Sequence, residues 1–168
     1  DFSSADLTAA SLDNATLTNP EFSRVTLSNA YLIGANLWNS DLDDHTLTTA
    51  RIVNTTLPNA SLAYNDISNP YLHNNDLSNA NLYDADLSDA SLVNTTLVNA
   101  SLADADLSDA YIVKDNLTNV DMNLTNLSET KFDCESVRTV TTNFAVNSSQ
   151  LHIIEINNGS IKEISSCQ

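Results

Sequence analysis

The sequence predicts an all-β solenoid whose chain turns a corner every five residues and closes a four-sided coil every twenty. Three observations carry this. Stepping by five from Phe2 gives Leu7, Leu12, Leu17, Phe22, Leu27, Leu32 and so on to Phe132 and Val137, all of them Leu, Ile, Phe, Met or Val. A small residue stands two places earlier in most segments, as at Ala5, Ala10, Ala15, Ala30, Ala35, Ala85 and Ala105. Columns then recur at twenty: Asn at 19, 39, 59, 79, 99 and 119, and hydroxyls at Thr8, Ser28, Thr48, Ser68, Ser88, Ser108 and Ser128. A period of five fits neither a helix nor a flat strand. Segments also match at forty, VNTTLPNASL at 53–62 against VNTTLVNASL at 93–102, so the chain grew by duplicating two coils at a time.

Composition agrees with a thin, regular core. The chain has 168 residues, which suits one domain, with 42% hydrophobic but only 6% aromatic content. Its formal charge is -16, from 22 acidic against 6 basic residues, which repels nucleic acid. With only 2 Gly, something else must supply the turns, and Asn tolerates the left-handed backbone they need. No apolar run approaches the roughly 18 residues of a membrane span. The chain starts at Asp1, already in register, which suggests a removed leader or a trimmed chain.

The pattern A-(D/N)-L-x-x, as in Ala5-Asp6-Leu7, Ala35-Asn36-Leu37, Ala85-Asp86-Leu87 and Ala105-Asp106-Leu107, resembles the pentapeptide-repeat family over about residues 2–137. The resemblance implies a right-handed quadrilateral β-helix, here of about seven coils, with the central apolar residue and the small one pointing inward. It also implies a role without catalysis. Departures at the small inward position are His45, Asn65, Asn75, Asp115 and Glu135, with Pro20 and Pro70; they suggest local loosening of the core.

Successive coils stack about 4.8 Å apart, so equal positions touch and the Asn column can form an amide ladder. One face combines Tyr31, Arg51, Tyr71, Tyr111 and Lys131 with Ile33, Val53, His73, Val93 and Val113. That is an aromatic and apolar strip on a polar rod, and such strips mark interfaces; the competing reading is plain β-propensity. Tyr31, Ile33, Arg51, Val53, Tyr71, Val93, Tyr111 and Val113 are the expected interface residues. A second feature is an acidic edge, with Asp44, Asp84 and Asp104 in one column and Asp66, Asp86 and Asp106 in the next. No metal or other cofactor is expected, Asp84, Asp86, Asp104 and Asp106 being weak candidates for calcium, against a solvated face as the simpler reading.

The register ends at Val137, giving a repeat over 1–137 and a cap over 138–168. LHIIEI at 151–156, Asn157-Asn158-Gly159 and SIKEI at 160–164 read as a β-hairpin, a short helix around 143–155 being the alternative. Cys134 and Cys167 are read as one disulfide pinning this cap, the alternative being two free thiols. Phe2 is already a core residue, so the first coil is open; a homodimer, or a filament, through that end is the self-association expected. Asn-x-Ser/Thr triplets such as Asn14, Asn54 and Asn94 would be glycan acceptors in a secretory setting, but the repeat makes such triplets by composition alone.

Catalytic sets are absent. His45, His73 and His152 are scattered, there is no Gly-rich phosphate loop, and a convex rod offers paired Asp residues no cleft. The expected function is a non-enzymatic, exported scaffold (periplasm, thylakoid lumen or extracellular) that binds a protein partner or itself through the Tyr face and its ends. Two rivals remain: an acidic DNA mimic that binds DNA gyrase, as some members of the family do, and a calcium-dependent surface protein.

Overall fold

The computed structural model describes residues 2–22, 24–42, 47, 50–67, 71–139, 152–157 and 160–164; for Tyr71 and the last two strands only the main chain is described. The chain winds as a parallel β-solenoid in which each residue lies above the one twenty positions earlier. Single bridges such as Asp6 on Thr26, Tyr31 on Arg51 and Asp86 on Asp106 join successive coils. On one face the pairing lengthens into strands: β1 (Tyr71–His73), β2 (Ser91–Val93), β3 (Tyr111–Val113) and β4 (Lys131–Asp133) run parallel.

Hydrogen bonds of two kinds hold this path. Across coils, the Leu7 N–H donates to the Thr26 C=O at 2.8 Å, and the Thr26 N–H returns to the Ala5 C=O at 3.0 Å. Across the corner, the Ala10 N–H donates to the Leu7 C=O at 2.9 Å, closing a four-residue turn. The third residue of that turn has positive φ, from Ser4 and Ala9 onward to Glu129. Asn and Asp fill most of these places because a short polar side chain tolerates the left-handed backbone. Asn39 donates to Asn19 at 2.9 Å, Asn99 to Asn79 at 3.1 Å and Asn119 to Asn99 at 3.2 Å, which makes the expected amide ladder. Gly34 takes one such corner with φ 70, and a Cβ there would meet the Asn14 Oδ1 at 2.6 Å.

The Asp or Asn before each core residue has a local task. Asp6 accepts the Thr8 N–H at 3.0 Å, and the same bond recurs from Ser78 to Asp76, Tyr83 to Asn81, Ser88 to Asp86 and Ser108 to Asp106. This Asx turn bends the chain toward the corner. Inside, Leu27, Leu32, Leu87, Leu92, Leu107 and Ile112 stack with no exposed surface, Ala30, Ala85, Ala90 and Ala105 filling the space between them. Each such Leu contributes about 1.5–3 kcal/mol by burial. The first coil is less covered: Phe2, Ala5, Leu7, Leu12 and Leu17 are partly buried, and Phe2 stacks on Phe22 at 5.5 Å.

The polar inward residues do not loosen the core, contrary to expectation. Asn75 is buried and inserts into a corner of the coil below: its Oδ1 accepts the Thr55 N–H at 2.8 Å and its Nδ2 donates to the Ile52 C=O at 2.9 Å. Asn65 acts likewise between Leu47 and Leu42. Thr55 and Thr95 donate their hydroxyls to the Leu32 and Leu72 carbonyls. Asp115 is also buried. Glu135 is exposed instead, because the repeat path stops at Asp133 and α1 (Cys134–Thr139) begins. Val137 still packs against the core, but from a helix. Pro20 is half-buried; His45 and Pro70 lie outside the described residues.

α1 closes the last coil. Asp133 accepts the Ser136 N–H at 2.9 Å; Ser136 and Thr139 hydroxyls then accept the Asp115 and Leu117 N–H groups at 2.9 and 2.7 Å. Side chains thus take the places that backbone carbonyls hold at the same positions of other coils, as at Ala35 N–H to Leu32 C=O and Leu97 N–H to Asn116 C=O. β5 (His152–Asn157) pairs parallel with β4, and β6 (Ser160–Ile164) pairs antiparallel with β5. Of the two alternatives for this stretch, the hairpin is the one present. Cys134 is disulfide-bonded; Cys167 and residues 140–151 lie outside the described residues.

Replacing Asn99 by Ala removes two rungs of the ladder and puts a Cβ at positive φ without a polar compensator. A loss of about 1–2 kcal/mol is expected. Asn99→Gly, free of the φ strain, is expected to lose less; denaturant unfolding of the two variants beside the parent checks the order.

Candidate interaction face

The face built on β1 to β4 differs from the other three in its corner chemistry. At the position before the core residue it carries Ser11, Tyr31, Arg51, Tyr71, Ser91, Tyr111 and Lys131, with no Asp or Asn in the column. Each of the other three columns holds several. Without the Asx turn, this column is free for long side chains, and it sets cations beside rings at Tyr31–Arg51–Tyr71 and at Tyr111–Lys131. The Arg51 guanidinium lies 5.3 Å from the Tyr31 ring centre, and the Lys131 ammonium 4.8 Å from that of Tyr111. Stacking one coil apart brings each pair together.

Tyr31 is 38% exposed and Arg51 is exposed, while Tyr111, Ile33, Val53 and Val93 are half-buried. Tyr71 lies in β1, with its side chain outside the described residues. His73 is half-buried, its Nε2 3.0 Å from the Ser91 Oγ. Val113, expected on this strip, is only 6% exposed and belongs to the interior side of the face. Lys114 follows it at the surface, and Asp13 and Asp133 are the acidic residues on this face.

The acidic edge has a different character. Asp86 and Asp106 accept the Ser88 and Ser108 N–H groups, and Asp106 also accepts from Asn126 at 3.0 Å. Asp84 and Asp104 are exposed at positive-φ corners. A hydrogen bond to Asp104 holds the Tyr83 phenol above its usual pKa. Asp44 lies outside the described residues. Among the described residues, no group of three or more His, Cys, Asp or Glu is placed to hold a metal ion.

Sequence reasoning missed a second aromatic cluster. Tyr64 and Tyr83 meet edge to face at 5.6 Å on the opposite face, and Trp38 is also exposed. Tyr64 and Tyr83 are nineteen apart, so a search by columns of twenty separates them.

Val113→Asp is expected to destabilise by several kcal/mol, since it places a carboxylate at a buried position. Ile33→Asp, at a half-buried place on the same face, is expected to cost about 1 kcal/mol or less. Thermal melting of the two variants side by side checks which belongs to the solvent face.

Comparison with known proteins agrees with this architecture. Residues 1–39, 21–63 and 76–112 match the sequence profile of pentapeptide repeats, in 8 copies. No curated protein sequence matches the chain. Among solved structures it is similar to HetL, a pentapeptide repeat protein involved in heterocyst differentiation regulation from the cyanobacterium Nostoc. The identity is 28% and the TM-score 0.49, over 75% of this chain and 61% of HetL, so this chain spans about three fifths of HetL's length. It shares the fold of QnrB1, a plasmid-mediated fluoroquinolone resistance protein, at 17% identity and TM-score 0.50, over 88% of this chain and 77% of QnrB1. A pentapeptide repeat protein from the Arabidopsis thaliana thylakoid lumen is 24% identical over 62% of this chain and 66% of its own, with TM-score 0.32. The chain belongs to the pentapeptide repeat family.

Proposed function

We propose that this chain is a non-enzymatic, exported scaffold that engages a protein partner through the face carrying Tyr31, Arg51, Val53, Val93 and Tyr111. Pentapeptide repeat proteins are generally structural or binding proteins, not enzymes. The observation that supports the face is its pair of cation–ring contacts, Arg51 on Tyr31 and Lys131 on Tyr111, on a rod of formal charge -16. Tyr and Arg held in place before binding lose little side-chain freedom on contact, and they dominate protein interfaces. The disulfide at Cys134 supports an oxidising compartment, and pairing with Cys167 completes the proposal. No helix among the described residues is long and apolar enough to cross a membrane.

A photo-crosslinking residue placed at Tyr31 or Tyr111 in the source cells is expected to give one discrete adduct, and the same residue at Ser101 on the opposite face none. Equal labelling from both faces, or none from either, overturns the reading. An adduct at twice the chain mass identifies the partner as a second copy, and light scattering over a concentration series measures that association directly. The rivals have their own readouts. DNA gyrase supercoiling is expected to proceed unaltered in the presence of the chain, and calcium is expected to leave the melting temperature unmoved. A calcium-induced rise would move the function to Asp84, Asp86, Asp104 and Asp106; inhibition or protection of gyrase would favour the DNA mimic.

A further inference from the structure

One buried group stands out from the repeat chemistry. Asp115 occupies the inward column that also holds Thr55, Asn75 and Thr95. It is 1% exposed, and its Oδ1 accepts the Thr95 N–H at 2.5 Å, as the Asn75 Oδ1 accepts the Thr55 N–H. Its Oδ2 has no hydrogen-bond partner. In the Asn75 corner the second arm is a donor, Nδ2 to the Ile52 C=O, and Asn65 donates in the same way to the Leu42 C=O. Both contacts reach back twenty-three residues. The same step from Asp115 arrives at the Leu92 C=O. A carboxylate has only acceptors to offer there; a carboxylic acid has the donor that the corner requires.

We propose that Asp115 carries a proton in the native fold, that this O–H donates to the Leu92 C=O as an Asn would, and that its loss in alkaline medium loosens the last coil from α1. The surroundings agree with a neutral acid. Burial above all pushes the Asp115 pKa up to about 8; the backbone hydrogen bond from Thr95 opposes it, the charge of Asp133 adds to it, and a weaker backbone hydrogen bond at Val113 opposes it. Asp133 is fixed in place on both oxygens: its Oδ1 accepts from Ser136 and its Oδ2 accepts the Lys114 N–H at 3.0 Å. Glu135 and Arg138 on α1, and the Lys114 side chain at the end of β3, are exposed; Cys134 is in a disulfide and does not titrate. No cation among these is buried beside the Asp115 carboxyl. The same residue also anchors the cap, since its N–H donates to Ser136 Oγ and its C=O receives the Thr139 hydroxyl at 3.4 Å. A charge on Asp115 therefore acts where α1 is fastened.

The sign follows from a folded-state pKa above the unfolded one. The group's contribution to stability is complete below the ordinary Asp value of 3.8 and falls as pH rises, until about 8. One proton separates the two states across that window, so the unfolding constant grows about tenfold per pH unit from this group alone.

The test is denaturant unfolding of the full chain and of Asp115→Asn between pH 5 and 8, read as the ratio of their unfolding constants, in which the histidines cancel. The ratio of parent to variant is expected to climb by about tenfold per unit. Amide exchange at Thr95, Asp115 and Leu117 is expected to lose protection in the parent with rising pH, beyond its intrinsic base dependence, and not in the variant. A pH-independent ratio overturns the proposal. Should the variant fail to fold, the carboxyl carbon shift of Asp115 in the parent decides alone: a protonated signal at pH 7 supports the proposal, and ionisation in the usual carboxylate range overturns it.

Discussion

Everything in this solenoid depends on one residue in five taking a left-handed backbone. Without positive φ at the third residue of each corner, the chain cannot swing through the corner and lay the next core residue beside the last. For most side chains that conformation costs about 1–2 kcal/mol per residue, a burden too large to repeat along the rod without relief. Asn and Asp supply the relief, and the solenoid multiplies it. Once one corner is Asn, the next coil places its corner directly above, and the amides bond to each other, as Asn39 to Asn19 and Asn99 to Asn79. A residue chosen for backbone tolerance thereby becomes a cross-coil fastener. The inner Leu stack and the parallel bridges both follow from that alignment.

A corner can also be held open, and there the core turns polar. Where Asn75 enters, the N–H of Thr55 and the C=O of Ile52 no longer need each other, because one amide side chain serves both. The inward polar residues are thus part of the backbone hydrogen-bond system, which is why a buried Asn costs the core little. The same substitution ends the rod. Ser136 and Thr139 on α1 take the N–H groups of Asp115 and Leu117, so side chains stand there in place of backbone carbonyls.

The fold was largely legible in the sequence because a repeat states its own geometry: a core residue every five positions and a column every twenty leave little freedom. What was not legible lies wherever the contact partner is not the residue twenty away. Glu135 and Val137 keep the five-residue count by their letters, yet α1 has already replaced the repeat path at Cys134. Val113 reads as a surface position because its column mixes Ile, Val and His with Asp, yet it is buried. Asn65, Asn75 and Asp115 read as defects because letters show polarity but not an opened turn. Of the candidate face, the column and its cations were legible; the cation–ring pairing was implied by coil stacking, and the degree of exposure was not.

The distribution of charge is separable from the fold. The corner needs an acceptor before the core residue, and Asn81, which accepts the Tyr83 N–H at 3.2 Å, serves as well as Asp76, which accepts that of Ser78 at 3.0 Å. Exchanging one for the other leaves the turn intact and changes the surface by one charge. Much of the acidity of this chain is therefore a choice made among equivalent corners, not a requirement of the solenoid. Seen in that way, the column from Ser11 to Lys131 is informative for what it lacks. It gives up the Asx turn altogether, and with it a source of local order, in favour of Tyr, Arg, Ser and Lys. From Tyr71 onward the strands β1 to β4 on this same face supply that order instead, since continuous pairing fixes the backbone without help from side chains, while single bridges join Ser11, Tyr31 and Arg51. A face whose backbone is held by its neighbours is the one face on which side chains are released from turn-making, and it is where rings and cations gather.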